Sequence, residues 1–159
     1  RTISTFDGLL NVAVAPQSVA LEVSDDLDIA RGNVLAHPTA SAQVSNRFGA
    51  TVCWMADWPY EGQTRTLIKI GTHTVAARIA EISDHVEISD RSERAPPVTL
   101  SRNDITRVTI QTASPIAFDA YADNRATGAF ILIDEATNAT VAAGMINGER
   151  TDPSPSTVN

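Results

Sequence analysis

Apolar and polar residues alternate with a period of two along most of this chain, the signature of strands that turn one face to a core. Val19-Ala20-Leu21-Glu22-Val23 is the first clear case. Residues 51–55, 67–70, 75–82, 86–88 and 108–112 repeat the pattern and are rich in β-branched side chains, which suit a pleated surface. The opening residues, up to Phe6, read as one more strand. Phe130-Ile131-Leu132-Ile133 is a continuous apolar run and predicts a strand covered on both faces. Residues 140–146 are its natural partner, with Thr137 and Asn138 supplying turn chemistry between the two. A second hairpin is expected at Gly71-Thr72-His73-Thr74. Helical signals are few. Ser101-Arg102-Asn103-Asp104 predicts a cap with a single turn, and residues 25–31 another short turn. The expected fold class is all-β.

Residues 36–42 are small and polar with a proline, and residues 38–42 are read as a link between two units. Residues 1–37 offer about three strands, too few to close a barrel, so they are expected to be the C-terminal half of one. Residues 43–147 hold enough strands for a complete small antiparallel barrel. Residues 148–159 contain Gly148, Pro153 and Pro155 among polar residues, a composition expected of a flexible tail or linker.

Composition narrows the chemistry. The chain is 43% hydrophobic and 19% charged, as folded domains are. Its formal net charge is −7, which disfavours nucleic acid and anionic membranes as partners. With Cys53 as the sole cysteine, an internal disulfide and a Cys-rich metal site are excluded. No apolar run reaches membrane-spanning length, and the cytoplasm is the expected compartment. Lys69 is the only lysine and stands between Ile68 and Ile70 with no glycine-rich loop before it, so the chain has no P-loop.

Candidate sites are correspondingly few. His37, His73 and His85 fall in a linker, a turn and a strand edge, without metal-ligand spacing. Ser24-Asp25-Asp26-Leu27-Asp28 reads as a solvated acidic turn rather than a cation loop. Trp54 is expected in the core, and Cys53 beside it as a buried small hydrophobe. Trp58 and Tyr60 lie in a loop, where aromatic residues either serve an interface or fold back onto a barrel mouth. Tyr121, Asn124 and Arg125 precede the closing hairpin, either as a docking loop or as internal stabilisers of that loop. Catalytic, cofactor and metal residues are assigned to none of these positions.

Two longer stretches carry a resemblance. Residues 19–23 followed by Asp28-Ile29-Ala30-Arg31-Gly32-Asn33-Val34-Leu35 resemble the end of the second domain of translation-type, elongation-factor-Tu-like GTPases, with Gly32 supplying a positive φ at the turn. Asn124-Arg125-Ala126-Thr127-Gly128-Ala129-Phe130-Ile131-Leu132-Ile133-Asp134 and Thr140-Val141-Ala142-Ala143-Gly144-Met145-Ile146 resemble the closing hairpin of the third domain. Their wording is similar to the large, GTP-binding subunit of bacterial sulfate adenylyltransferase. So is that of Thr5-Phe6-Asp7-Gly8, Val52-Cys53-Trp54-Met55-Ala56 and Leu100-Ser101-Arg102-Asn103-Asp104-Ile105.

The resemblance implies an incomplete second-domain barrel followed by a complete third-domain barrel. In that family GTP hydrolysis drives adenylyl transfer from ATP to sulfate, giving adenylyl sulfate and pyrophosphate, and the transfer itself occurs on a separate small catalytic subunit. The P-loop, the Asp-x-x-Gly segment and the Asn-Lys-x-Asp segment of the GTPase domain have no match here. GTP and magnesium are therefore expected on an N-terminal GTPase domain outside this sequence, and the chain alone is expected to be inactive. The implied partners are the small subunit and that GTPase domain. In some members an adenylyl-sulfate kinase is fused after the third domain, and residues 147–159 suit such a linker as well as an ordinary terminus. The competing reading is an RNA- or protein-binding barrel of a translation-type GTPase.

Overall fold

The computed structural model describes residues 2–62, 64–86, 93–94 and 99–150. The chain divides into two compact units, Arg1–Ala30 and Arg31–Asn159. In the first, strand β1 (Thr2–Thr5) pairs antiparallel with β2 (Gly8–Leu10) on one side and β3 (Ala20–Glu22) on the other. This sheet is not closed, and no described residue between 2 and 30 is buried. The short helical turn expected at residues 25–31 does not form. Leu27 and Ile29 remain exposed there, so nothing offsets the cost of nucleating a turn of helix.

The second unit is a closed barrel. Its strands are β4 (Gln43–Trp54), β5 (Thr66–Ile70), β6 (His73–Val86), β8 (Ile105–Phe118), β9 (Ala129–Asp134) and β10 (Thr140–Arg150). They pair in the order β5-β9-β10-β4-β8-β6, and β6 pairs back to β5, so all six belong to one antiparallel ring. A two-residue strand β7 (Glu93–Arg94) adds to β6. Closure gives every strand of the ring two neighbours, which removes the exposed edges of an open sheet.

The expected alternation determines what lies inside. From β4, Phe48, Ala50, Val52 and Trp54 point inward, and they meet Ile68 of β5, Val108 and Ile110 of β8, and Phe130 and Leu132 of β9. Phe48 packs on Phe118 at 4.7 Å between ring centroids and edge-on to Phe130 at 6.3 Å. Buried hydroxyls are paired: Thr66 donates to the carbonyl of Ala77 at 2.8 Å, and Thr112 to that of Ser114 at 2.8 Å.

Both predicted hairpins are present, β5–β6 and β9–β10. Gly32 has a φ of +100°, as its place in the turn requires. At Ser101–Asp104 a tight turn replaces the expected helical turn. The Asp104 carboxylate caps the Ser101 amide at 2.7 Å, and Asn103 takes a φ of 71°, which stops helical propagation. Of the strand expected at residues 86–88, Val86 ends β6 and the other two lie outside the described residues, as do residues 151–159 of the expected tail. A four-residue helix α1 (Arg125–Gly128), unforeseen from the pattern, precedes β9.

Candidate functional site

The five candidate surface residues separate into three situations. Tyr60 is core: it is 2% exposed, its ring lies 5.5 Å from Trp54, and its hydroxyl donates to the carbonyl of Ile79 at 3.2 Å. Burial raises its phenol pKa, partly opposed by the Arg78 charge. The loop aromatic has folded back onto the barrel mouth. Trp58 does the opposite and keeps 44% of its surface exposed. Its backbone is fixed because the buried Trp54 indole donates to the Trp58 carbonyl at 2.8 Å. The ion pair between Arg102 and Asp57 joins this loop to the Ser101–Asp104 turn.

Asn124 and Arg125 lie together with Tyr121 in the β8–β9 connection. Asn124 caps α1: its side chain accepts from the Ala126 amide at 3.1 Å, while its carbonyl accepts from Gly128 at 2.8 Å. Thr127 ties the loop down through Asp119 at 2.5 Å. Gly128 is needed for a close approach, since a Cβ there would sit 2.5 Å from the Tyr121 Cα. The Tyr121 amide in turn donates to Ile146 of β10 at 2.9 Å. Asn124 is thus spent on internal bonds. Arg125 is exposed, with its guanidinium 5.8 Å from the centroid of the Tyr121 ring. Trp58 follows the end of β4, whereas Tyr121 follows the end of β8. Cys53 pairs with Ile105 and Gln43 with Phe118, so these two loops leave opposite ends of the β4–β8 pair.

The outer wall of the barrel carries a feature that the pattern did not single out. An open groove of about 580 Å³ is lined by outward residues of four neighbouring strands: Thr51 and Cys53 of β4, Lys69 of β5, Ala129 and Ile131 of β9, and Ala143 and Met145 of β10. Tyr121 and Ile105 also contribute to its lining. Cys53 is therefore half-buried on the outside rather than packed in the core, because Val52 and Trp54 take the inward positions of β4. Ile131 has the same half-exposed status, so the run 130–133 is not sealed on both faces by the described residues. The legible signal was the apolar character of the outward positions 129, 131, 143 and 145 in paired strands.

The remaining candidates are isolated. His37 Nδ1 bonds Thr39 Oγ1 at 2.8 Å, His73 is half-buried at the start of β6, and His85 lies near the end of β6. Among the described residues no group of three or more His, Cys, Asp or Glu could hold a metal, and no helix is long and apolar enough to cross a membrane. The described residues do not fit a guanine nucleotide with magnesium. Lys69 points outward from the middle of a strand, and the only described helix has four residues and follows no glycine-rich loop.

The family profile described as GTP-eEF1A C-terminal domain-like matches residues 47–147, the barrel from β4 into β10. The chain belongs to that family. Within it, the chain is 40% identical over 146 residues to sulfate adenylyltransferase subunit 1 of Bacteroides fragilis, covering 92% of this chain and 30% of that protein. It is 37% identical over 148 residues to the subunit 1 of Psychromonas ingrahamii, covering 93% and 31%. To the bifunctional enzyme CysN/CysC of Mycobacterium tuberculosis it is 37% identical over 155 residues, covering 96% and 25%. The chain thus spans less than a third of the length of these relatives. Among solved structures, sup35 complexed with GMPPNP superposes with a TM-score of 0.68 at 19% identity, covering 81% of this chain and 31% of sup35. That likeness establishes the elongation-factor-like barrel fold. The resemblance read from residues 19–35 and 124–146 is thereby matched by similarity to sulfate adenylyltransferase subunit 1 across more than nine-tenths of the chain.

Proposed function

We propose that this chain is the non-catalytic β-barrel portion of a GTP-dependent sulfate adenylyltransferase large subunit, serving as a scaffold on which the small catalytic subunit docks. The observation that carries the reading is the 37–40% identity to subunit 1 proteins over more than nine-tenths of the chain. A closed six-stranded ring with no triphosphate cradle among the described residues suits a rigid platform rather than a reaction centre. GTP and magnesium belong, in this reading, to the GTPase domain of the longer polypeptide. Adenylyl transfer belongs to the small subunit. A kinase fused beyond the barrel is the counterpart in the bifunctional relatives.

Trp58 and Arg125 are the exposed candidates for contact. Trp58 offers a large aromatic surface on a fixed backbone, and Arg125 offers a planar cation steadied over Tyr121. The test is co-purification of the small subunit with the intact large subunit carrying Trp58→Ala or Arg125→Ala, and with the 159-residue chain alone. At least one substitution is expected to weaken association about thirtyfold or more, the size of an interface hot spot. Unchanged binding by both variants, together with no association of the isolated chain, would remove the docking role. GTPase or sulfurylase turnover by the isolated chain would remove the non-catalytic assignment.

A further inference from the structure

The outer-wall groove combines two properties that are independent of the docking reading. Its volume of about 580 Å³ lies within the range of small-molecule sites, and its floor is built from Cys53, Ile131, Ala143 and Met145. Its sole charged lining residue is Lys69, the only lysine of a chain whose net charge is −7. On the Tyr121 side, the Arg125 guanidinium lies near the ring of that lining residue. A concave apolar surface whose local charge opposes that of the whole molecule attracts what the rest of the surface repels.

We propose that this groove is a binding site for a small amphipathic anion, with an aromatic or aliphatic body over Ile131, Ala143 and Met145 and an anionic group at the Lys69 ammonium. Small side chains at positions 129 and 143 leave the space, and Gly71 beside Lys69 leaves its surroundings open, with nothing within 4 Å of where a Cβ would stand. Cys53 reports on occupancy, because it lines the groove and is the only thiol of the chain.

Two fluorescent probes test the idea on the 159-residue chain. 8-Anilino-1-naphthalenesulfonate has the anionic group, and N-phenyl-1-naphthylamine has the same aromatic body without it. The sulfonate is expected to bind more tightly and to slow the reaction of Cys53 with a thiol reagent at least fivefold at saturation. Lys69→Met should weaken the sulfonate about threefold to fivefold, as for a solvent-exposed ion pair, and leave the neutral probe within about twofold. Ala143→Trp should fill the groove and abolish both effects, with circular dichroism confirming that each variant is folded. Fluorescence enhancement without protection of Cys53 would place the probe elsewhere, for instance on Phe6 or Leu9 in the first unit, and overturn the proposal. So would equal affinity for the two probes, or an affinity indifferent to Lys69→Met. Sulfonate binding lost in the intact large subunit, with Cys53 also protected there, would show that a polypeptide segment is the occupant and would equally overturn it.

Discussion

Gly144 stands opposite Phe130 in the β9–β10 pair, and the aromatic ring lies across the space that a side chain would fill. A Cβ at this position would come within 2.2 Å of the Phe130 ring, so even a methyl group must displace the largest inward residue of β9. Gly144→Ala is therefore expected to destabilise the barrel by about 1–3 kcal/mol, seen as a lowered urea midpoint with an unchanged slope. An unshifted midpoint would mean that the ring does not pack over the glycine. Tyr60 makes a second residue-scale case. Burial raises its pKa above the ordinary 10.0, with the nearby Arg78 charge acting in the other direction. Above about pH 10 the unfolded chain releases this proton while the folded chain still holds it, so stability declines as pH rises. Tyr60→Phe should cost about 1 kcal/mol at neutral pH for the lost bond to Ile79, and should lessen the alkaline decline. Urea midpoints compared near pH 8 and above pH 10 check both effects.

At the scale of elements, the turn of the β9–β10 hairpin is capped by one carboxylate. Asp134 accepts from the Thr137 hydroxyl at 2.7 Å and from the Thr137 amide at 2.8 Å, while Asn138 closes the turn with a φ of 58°. The hydroxyl bond and then the amide bond hold the Asp134 pKa below its ordinary 3.8. Its contribution is thus present above the unfolded value and is lost as pH falls through the lower folded value. The Thr137 amide resonance should titrate with a midpoint below 3.8, and this titration should vanish in Asp134→Asn. A midpoint at or above 3.8 would remove the proposed turn geometry. The turn residues were readable from sequence because the chemistry is local: a carboxylate, a hydroxyl and an Asn that tolerates the left-handed region, all within five positions. Helix α1 was not readable. It depends on Asn124 capping Ala126 while Gly128 lets the Tyr121 backbone approach, and that approach is a tertiary contact.

At the scale of the whole molecule, cohesion is uneven. The second unit, the barrel with its connecting loops, holds every buried residue described, while β1, β2 and β3 bury none. Amide exchange in β1–β3 is accordingly expected to be at least a hundredfold faster than at the centres of β4 and β8, because local opening exposes almost no apolar surface there. Comparable protection in the two units would show that the first sheet is held by contacts not apparent in its own burial. The same inequality explains how the expectations fared. Strand positions in the barrel followed the period-two pattern from Phe48 to Trp54 and from Phe130 to Leu132, since burial on one face forces that alternation.

By itself, the sequence determined that the chain is all-β, where its closing hairpin turns, and that it has no P-loop, because each of these is written in neighbouring residues. Only the tertiary structure decided that β6 returns to β5, that Tyr60 turns inward while Trp58 stays out, and that Cys53 and Lys69 share an outer groove. Those outcomes depend on pairing between residues far apart in the chain. They also depend on irregular strand registers: β6 carries one extra residue against β8 at 79–81 and again at 82–84, and β8 carries three extra residues opposite 45–47, shifts that decide which face a side chain occupies.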